Sequence, residues 1–175
     1  MLIARKIFIV VFLVVPFAFG CAPKKNKAKA VIQSASGSTM TGEAVFEETD
    51  HGVKMVLTVQ NATPGTHAVH LHEHGDCSAP DATSAGGHWN PTQQEHGHRD
   101  SGGTFHSGDI ENLEVGEDGT GKLEVTGHEW TIGGDPSTDV VGKAVIIHAS
   151  ADDFVSQPAG NAGPREGCGV VVKEE

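Results

Sequence analysis

The run that decides the fold is residues 67–72, which read His-Ala-Val-His-Leu-His. It is a short β-like run, and the turn-forming segment 61–65 precedes it. Side chains two positions apart on a strand point to the same face, so the imidazoles of His70 and His72 can reach one metal ion. Such a pair alone is weak evidence for a metal, and its meaning depends on the rest of the chain.

Further β-like runs lie on both sides of this segment, separated by Gly, Asn, Asp and Pro. They are residues 31–32, 44–46, 55–59, a hairpin over 113–125 that turns at 117–121, 140–148 and 170–172. Two long segments rich in Gly and polar residues, 75–108 and 151–167, interrupt them, and loops of this length are often functional. The pattern predicts an all-β protein: an eight-stranded antiparallel Greek-key β-sandwich or barrel with two long functional loops and no helix of normal length.

The composition agrees with a single β-rich domain. The chain has 175 residues, with 23 Gly, 8 Pro and no Tyr, and so many turn-forming residues suit short strands better than a helical bundle. A formal net charge of −11 argues against nucleic acid as a partner. The 11 histidines are an unusual number, and clusters of histidine are typical of metal sites.

The first twenty residues have the form of a signal peptide. Arg5 and Lys6 precede an apolar run over 7–19, interrupted only by Pro16. At about 1.5 Å per residue this run is about 20 Å long, too short to span a hydrocarbon core of about 30 Å. Residues 18–20 suit cleavage before Cys21.

Two interpretations of that cleavage stay open. One is an ordinary signal peptidase site, and the other, which we favour, is a bacterial lipoprotein in which Cys21 carries the lipid. Both export the protein. We therefore expect a lipoprotein anchored to the cell membrane on its extracytoplasmic side, or a secreted or periplasmic protein if Cys21 is not lipidated.

Downstream of the leader, residues 21–30 are predicted to be the lipidated Cys21 and a flexible basic tether, and residues 31–175 the folded domain. The tether lysines are interpreted as a solvated spacer, with contact to anionic lipid as the alternative. The two other cysteines, Cys77 and Cys168, are an even pair in an exported protein, which favours a disulfide. Closing a loop of about 91 residues would stabilise the fold by about 4–5 kcal/mol.

Four further histidines and an aspartate strengthen the metal interpretation. The long polar loop contains three of the histidines, one more ends the strand at 148, and the full set is His88, His96, His106, Asp109 and His148. A loop so rich in Gly and polar groups buries too little apolar area to order itself, and a bound metal would supply the missing free energy. Several nitrogen ligands suit Cu(II) and Zn(II), and three His with one Asp match a tetrahedral zinc site.

Five motifs resemble those of the copper/zinc superoxide dismutases, in the same order. They are the copper-binding strand HLHEHGD (70–76), the bridging-histidine segment SAGGHWNP (84–91), the zinc turn HSGD (106–109), the last copper-ligand strand VGKAVIIHASADD (141–153) and the arginine and second-cysteine segment GNAGPREGCGV (160–170). The resemblance runs from about Val31 to Lys173. It implies the β-sandwich fold of that family.

The resemblance also implies one copper and one zinc ion per chain. The copper ligands would be His70, His72, His88 and His148, and the zinc ligands would be His88, His96, His106 and Asp109. His88 would bridge both ions. Asp152 would link the two sites by hydrogen bonds, and Cys77–Cys168 would be the family disulfide.

The implied reaction is dismutation of superoxide to O₂ and H₂O₂ by a one-electron copper cycle. Arg165 and His88 would be the catalytic residues, Arg165 by guiding the anion to copper and His88 by taking up a proton. Lys143 would add to the local positive field.

The chain departs from the family pattern at several positions. His98 is a rival to His96, which we prefer because it follows His88 by the family spacing. Trp89 and His74 replace the usual residues, and the loop from Asp152 to Arg165 is short. The remaining histidines are expected to be solvent, turn or spectator residues, namely His51, His67, His74, His98 and His128.

Two other functions remain as alternatives: an exported copper or zinc carrier of the same fold, and a structural β-domain. The complete set of copper ligands, together with Arg165 and Asp152, favours catalysis over a carrier. The histidine and aspartate set has no explanation in a structural domain. Monomer and homodimer are both compatible with the sequence.

Overall fold

The computed structural model describes residues 25–175, and the predicted signal peptide and Cys21 lie outside the described residues. The strands are β1 (Lys27–Ser34), β2 (Thr41–Thr49), β3 (Gly52–Gln60), β4 (Gly65–His67), β5 (Val69–His72), β6 (Leu113–Val115), β7 (Gly121–Gly127), β8 (Ala144–His148), β9 (Arg165–Val170) and β10 (Val172–Lys173). Two 3-10 helices, Thr83–Ala85 and Arg99–Ser101, are the only helices in this part of the chain. Neither has the length or apolar character needed to cross a bilayer.

The strands form one antiparallel sheet that closes almost completely on itself. Its order is β4-β6-β7-β3-β2-β1-β9-β8-β5, and β10 pairs with β1. β4 and β5 stand at the two ends of this order but are separated by Ala68 alone in the chain. The chain therefore passes from one end of the sheet to the other at a single residue. The predicted all-β barrel is confirmed.

The predicted number of eight strands is wrong, because two of the predicted strands are each interrupted once. Residues 67–72 split at Ala68, whose N–H donates to Ser150 O at 2.8 Å. The last strand splits at Val171, whose N–H donates to Lys143 O at 2.9 Å. Both acceptors lie just beyond the ends of β8, the strand that pairs with β5 and β9.

Several predicted boundaries also shift, among them two in the last part of the chain. The strand predicted over 140–148 begins only at Ala144, because a turn closes before it with Lys143 N–H donating to Val140 O at 3.2 Å. The strand predicted over 170–172 begins earlier, as β9 at Arg165, so the second long loop ends before Arg165 and not at Gly167.

The prediction of a flexible tether up to Ala30 is wrong for its last four residues, which belong to β1. Ala28 and Ala30 are fully buried in the barrel, while Lys27 and Lys29 point outwards and pair with Glu47 and Glu174. The Lys-Ala alternation has the period of a strand, but alanine is a weak apolar signal.

Burial differs between the strands. β3 alternates, with Val53, Met55, Leu57 and Val59 buried inside the barrel. In β5 and β8 every residue is buried, because the long loops cover the outer face as well. The functional side chains lie on this covered face.

Candidate metal centre

Neighbouring strands and one loop bring the first group of histidines together. His70 and His72 lie on the same face of β5, as the alternation predicts. His88 comes from the long loop and faces His72 through an isolated β-bridge. His148 ends β8, which pairs with β5. Gly108 holds the loop against the strand by accepting from the N–H of Leu71 at 2.8 Å, and a Cβ there would overlap Leu71 O.

One nitrogen of each of these four rings has no hydrogen-bond partner although it is buried. These atoms are His70 Nδ1, His72 Nε2, His88 Nε2 and His148 Nε2. The four side chains each offer a ligand atom within 4.8 Å of all the others. Buried nitrogens left without partners are costly, and their convergence on one point fits a metal ion that accepts nitrogen ligands.

In three of these rings the second nitrogen forms a hydrogen bond with a neighbouring group. His70 Nε2–H donates to Asp152 Oδ2 at 2.8 Å. His72 Nδ1–H donates to Gly86 O at 2.9 Å, and His148 Nδ1–H donates to Gly163 O at 3.1 Å. These bonds set the tautomers, so that the unpartnered nitrogens carry lone pairs.

A second group shares His88 with the first. Asp109 Oδ1 lies 2.9 Å from His88 Nδ1, 3.0 Å from His96 Nδ1 and 3.4 Å from His106 Nδ1, and the Nδ1 atoms of His88 and His106 are 3.3 Å apart. Zinc bonds of about 2.0–2.1 Å in a tetrahedron put neighbouring ligand atoms about 3.3 Å apart. The three histidines and the carboxylate therefore have the chemistry and spacing of a closed zinc site.

Asp152 connects the two groups. Its Oδ2 accepts from His70, and its Oδ1 lies 2.9 Å from His96 Nε2. The carboxylate is fully buried, and a Cβ at Gly160, where φ is +63°, would overlap Oδ1. Glycine is therefore required beside this carboxylate. One carboxylate therefore forms a hydrogen bond with a histidine of each group.

The protonation of the first group favours metal binding. Burial lowers the pKa of His72 to about 2 and that of His148 to about 3. Burial also lowers the pKa of His88 to about 4, against the opposing effect of Asp109. These rings are neutral at pH 7, so a metal ion does not compete with protons for them.

The carboxylates dominate the second group. Burial alone would lower the pKa of His96, but its hydrogen bonds to Asp109 and Asp152 outweigh burial and raise it to about 9. Burial would likewise raise the pKa of Asp109, yet the hydrogen bonds from the imidazoles hold it far below its usual range. The carboxylate is ionised, as a zinc ligand must be, and a metal ion would displace the proton from His96.

Arg165 lies at the opening of the first group. Its side chain lines the same cavity as His72, His88 and His148. The guanidinium donates to Ala82 O at 2.6 Å and to Gly86 O at 2.7 Å, and Gly86 O is also the acceptor for His72. An arginine cation is thus held beside the unpartnered nitrogens by the loop that orients one of them.

The disulfide between Cys77 and Cys168 is confirmed, with Cα atoms 5.8 Å apart. It joins the long loop to β9. Because Ala82 and Gly86 lie just after Cys77, the disulfide anchors the segment that holds Arg165.

His67 was wrongly predicted to be a solvent or turn residue. It is buried, with Nδ1 2.7 Å from His148 O and Nε2 2.8 Å from Thr63 O. It therefore supports the main chain of a member of the first group. Its place at the head of the buried run 67–72 was the only signal.

Arg99 has a structural role that the sequence pattern does not indicate. Its buried guanidinium donates to Ser107 O at 2.7 Å and to Asp109 O at 2.9 Å, pairs with Glu129 and lies over the rings of Phe105 and Trp130. It holds the turn that carries two members of the second group. A lone arginine in a polar loop gives no signal of this in the sequence.

The other histidines lie outside both groups. His98 Nε2 is 3.1 Å from Glu111, and His74 is exposed beside Glu73. His51 and His128 are exposed, as predicted. Lys143 lies over the ring of Trp89.

Fold and site together define a β-barrel metalloprotein whose two adjoining donor sets share one histidine. The family model of copper/zinc superoxide dismutase matches residues 40–171. The chain belongs to this family, whose members use copper and zinc to dismutate superoxide.

Relatives with this name cover most of the chain. It is 37% identical to a Cu-Zn superoxide dismutase of Deinococcus radiodurans over 144 residues, 75% of this chain and 76% of the relative. It is 36% identical to that of Caulobacter vibrioides over 149 residues, 82% of this chain and 84% of the relative. Among solved structures, an SOD-like protein from Bacillus subtilis matches with a TM-score of 0.73 at 32% identity, covering 82% of this chain and 97% of that one.

Proposed function

We propose that this chain dismutates superoxide to O₂ and H₂O₂ at the first histidine group, with copper on His70, His72, His88 and His148 and zinc on His88, His96, His106 and Asp109. The observation that carries the assignment is the convergence of four buried ring nitrogens that lack any partner. The tetrahedral spacing of the second group supports zinc there.

Bound copper supplies the one-electron oxidation and reduction that the reaction needs, which zinc does not. The chain contributes binding and protons. Arg165 attracts the superoxide anion to the opening, against the negative charge of the whole chain. His88 Nε2 is the ring atom that takes up a proton for the product, while its Nδ1 stays beside Asp109.

The ligand assignment is tested by metal content and superoxide dismutation, measured on the mature protein before and after addition of Cu(II). Activity is expected to follow copper up to about one ion per chain. His148→Ala should lose copper and activity while keeping zinc, and His128→Ala, an exposed histidine, should lose neither. Stoichiometric copper without activity would indicate a carrier.

The role of Arg165 is tested by Arg165→Ala. Because the guanidinium belongs to neither donor set, we expect bound copper and zinc to remain and activity to fall. Activity equal to wild type would exclude Arg165 as the anion guide.

We also propose that the protein is exported and anchored by lipid on Cys21. The basic and apolar leader before Cys21 supports this, and so does the disulfide, which needs an oxidising compartment. The test is fatty-acid labelling of wild type and Cys21→Ser in cells. Label in the wild type alone supports the anchor, and unlabelled wild type would contradict it.

A further inference from the structure

Two amide side chains bind the two long loops to each other around the contact between Asp152 and His96. Gln157, in the second loop, accepts from His96 N–H through Oε1 at 3.0 Å and donates to His96 O through Nε2 at 2.9 Å. Asn112, which follows the first loop, does the same for Asp152, at 2.8 Å and 3.0 Å. Each amide thus forms hydrogen bonds with both the N–H and the C=O of one residue in the other segment, as a residue of a neighbouring strand would.

Gln157 also lies at the opening of the first histidine group. With Pro158, Ala159 and Gly163 it lines one wall of the opening at which His148 and Arg165 lie. The same side chain therefore touches the main chain of a proposed zinc ligand and belongs to the wall over the proposed copper ligands.

Gln94 offers a matched comparison. It lines the same opening, but its side-chain amide donates only to Thr92 O, at 3.2 Å, within its own segment. Substitution of Gln94 changes the lining of the opening without touching the link between the loops.

We propose that Gln157 is a positioning residue that couples zinc binding at His96 to the position of residues 153–163, the segment that forms this wall. This inference rests on the zinc site proposed above. When zinc is bound to His96 Nδ1, His96 is held in place, and its two hydrogen bonds to Gln157 hold the wall in place as well. Without zinc, His96 can move, and the wall loses this fixed hydrogen-bond partner. Coupling of two equilibria is reciprocal, so the wall must also strengthen zinc binding by the same factor.

The test is hydrogen exchange of the amides of residues 153–163 in the full mature chain without copper, with and without zinc. Zinc should slow exchange of this wall in the wild type. In Gln157→Met the ratio of the rates with and without zinc should fall about tenfold, which corresponds to about 1.4 kcal/mol. Zinc affinity, measured by competition with a chelator, should fall by a similar factor.

Two further variants sharpen the result. Gln94→Met should keep the wild-type ratio. Gln157→Glu has the same shape and keeps the bond from His96 N–H but loses the donor to His96 O, so an intermediate ratio is expected.

A purely structural role of Gln157 would speed exchange equally with and without zinc, and an unchanged ratio would overturn the proposal. Wild-type protein that binds zinc without protecting the wall would also overturn it, while leaving the zinc ligands in place. Failure of the wild type to bind zinc at all would instead refute the zinc assignment, and with it this coupling.

Discussion

Four strands face solvent on their outer surface and form the open side of the barrel: β1, β2, β3 and β7. On the covered side, formed by β5 and β8, the two long loops lie over the outer surface. On the open side, apolar residues point inwards and polar residues outwards, as in β3. On the covered side both faces are buried: Val69 and Leu71 pack in the barrel, and His70 and His72 lie beneath the loops.

This difference separates two sources of stability. Burial of apolar area stabilises the open side, and its outer surface contributes little. The covered side buries imidazoles and carboxylates, whose desolvation must be offset by hydrogen bonds and, in the holoprotein, by metal ions. Acid, reduction and truncation of side chains should therefore affect the two sides differently.

Acid should have the largest effect. His72, His88 and His148 have folded pKa values of about 2, 4 and 3, below the 6.5 of an unconstrained histidine. As pH falls below 6.5, these three histidines bind protons in the unfolded chain but not in the folded protein. The stability that they contribute above pH 6.5 is therefore lost. His96, raised to about 9, has the opposite sign: its contribution is complete below pH 6.5 and lost as pH rises through 9.

The three lowered histidines outweigh the one raised histidine between pH 7 and pH 5. The unfolding free energy of the metal-free protein should fall on the order of 5 kcal/mol over this range, measured by urea denaturation. The triple variant with Ala at His72, His88 and His148 should lose most of this dependence. Equal stability of the wild type at both pH values would contradict the buried neutral rings.

Removal of the disulfide is expected to be the next largest effect. Cys77→Ser with Cys168→Ser opens a loop of 91 residues, and the cost should be about 4 kcal/mol in urea unfolding of the metal-free protein. Activity of the metal-loaded double variant should also fall, because Arg165 bonds to carbonyls just after Cys77. Lower stability with unchanged activity would show that the disulfide is not needed to hold Arg165 in place.

The sequence predicted the open side and the ligand candidates better than the connections between them. Alternation in β3 and the spacing of His70 and His72 are local properties of a strand, and they are visible along the chain. The break at Ala68 and the roles of His67, Arg99 and Gln157 depend on which loops meet in space. Lone polar residues in Gly-rich loops carry no period from which such contacts can be inferred.

Core truncation on the two sides should cost similar stability but differ in activity. Leu57 and Ile146 are both fully buried, and Leu57→Ala or Ile146→Ala should each cost about 3 kcal/mol. Ile146 belongs to the buried cluster of Ala82, Ala85 and Cys168, which supports Arg165. At equal metal content, activity should fall in Ile146→Ala and persist in Leu57→Ala, and equal activities would contradict this division.

Loss of Arg99 should act on the zinc turn. In Arg99→Met the carbonyls of Ser107 and Asp109 lose a charged donor, and we expect zinc affinity to fall by about 2 kcal/mol in a chelator competition. Copper affinity of the zinc-loaded protein should change less, because Arg99 touches none of the rings in the first group. Unchanged zinc affinity would mean that the turn holds its shape without the arginine.

The smallest effect is expected on the outer surface of the open side, at the pair of Lys27 and Glu47. The two residues are direct partners in the β1–β2 ladder, with Lys27 Nζ 3.3 Å from Glu47 Oε1, and both side chains are about half exposed. A double-mutant cycle with Lys27→Ala and Glu47→Ala should give a coupling of about 0.5 kcal/mol or less, lost at high salt. A coupling of several kcal/mol would show that outer-surface charge, as well as inward burial of Ala28 and Ala30, holds the first residues of β1 in the barrel.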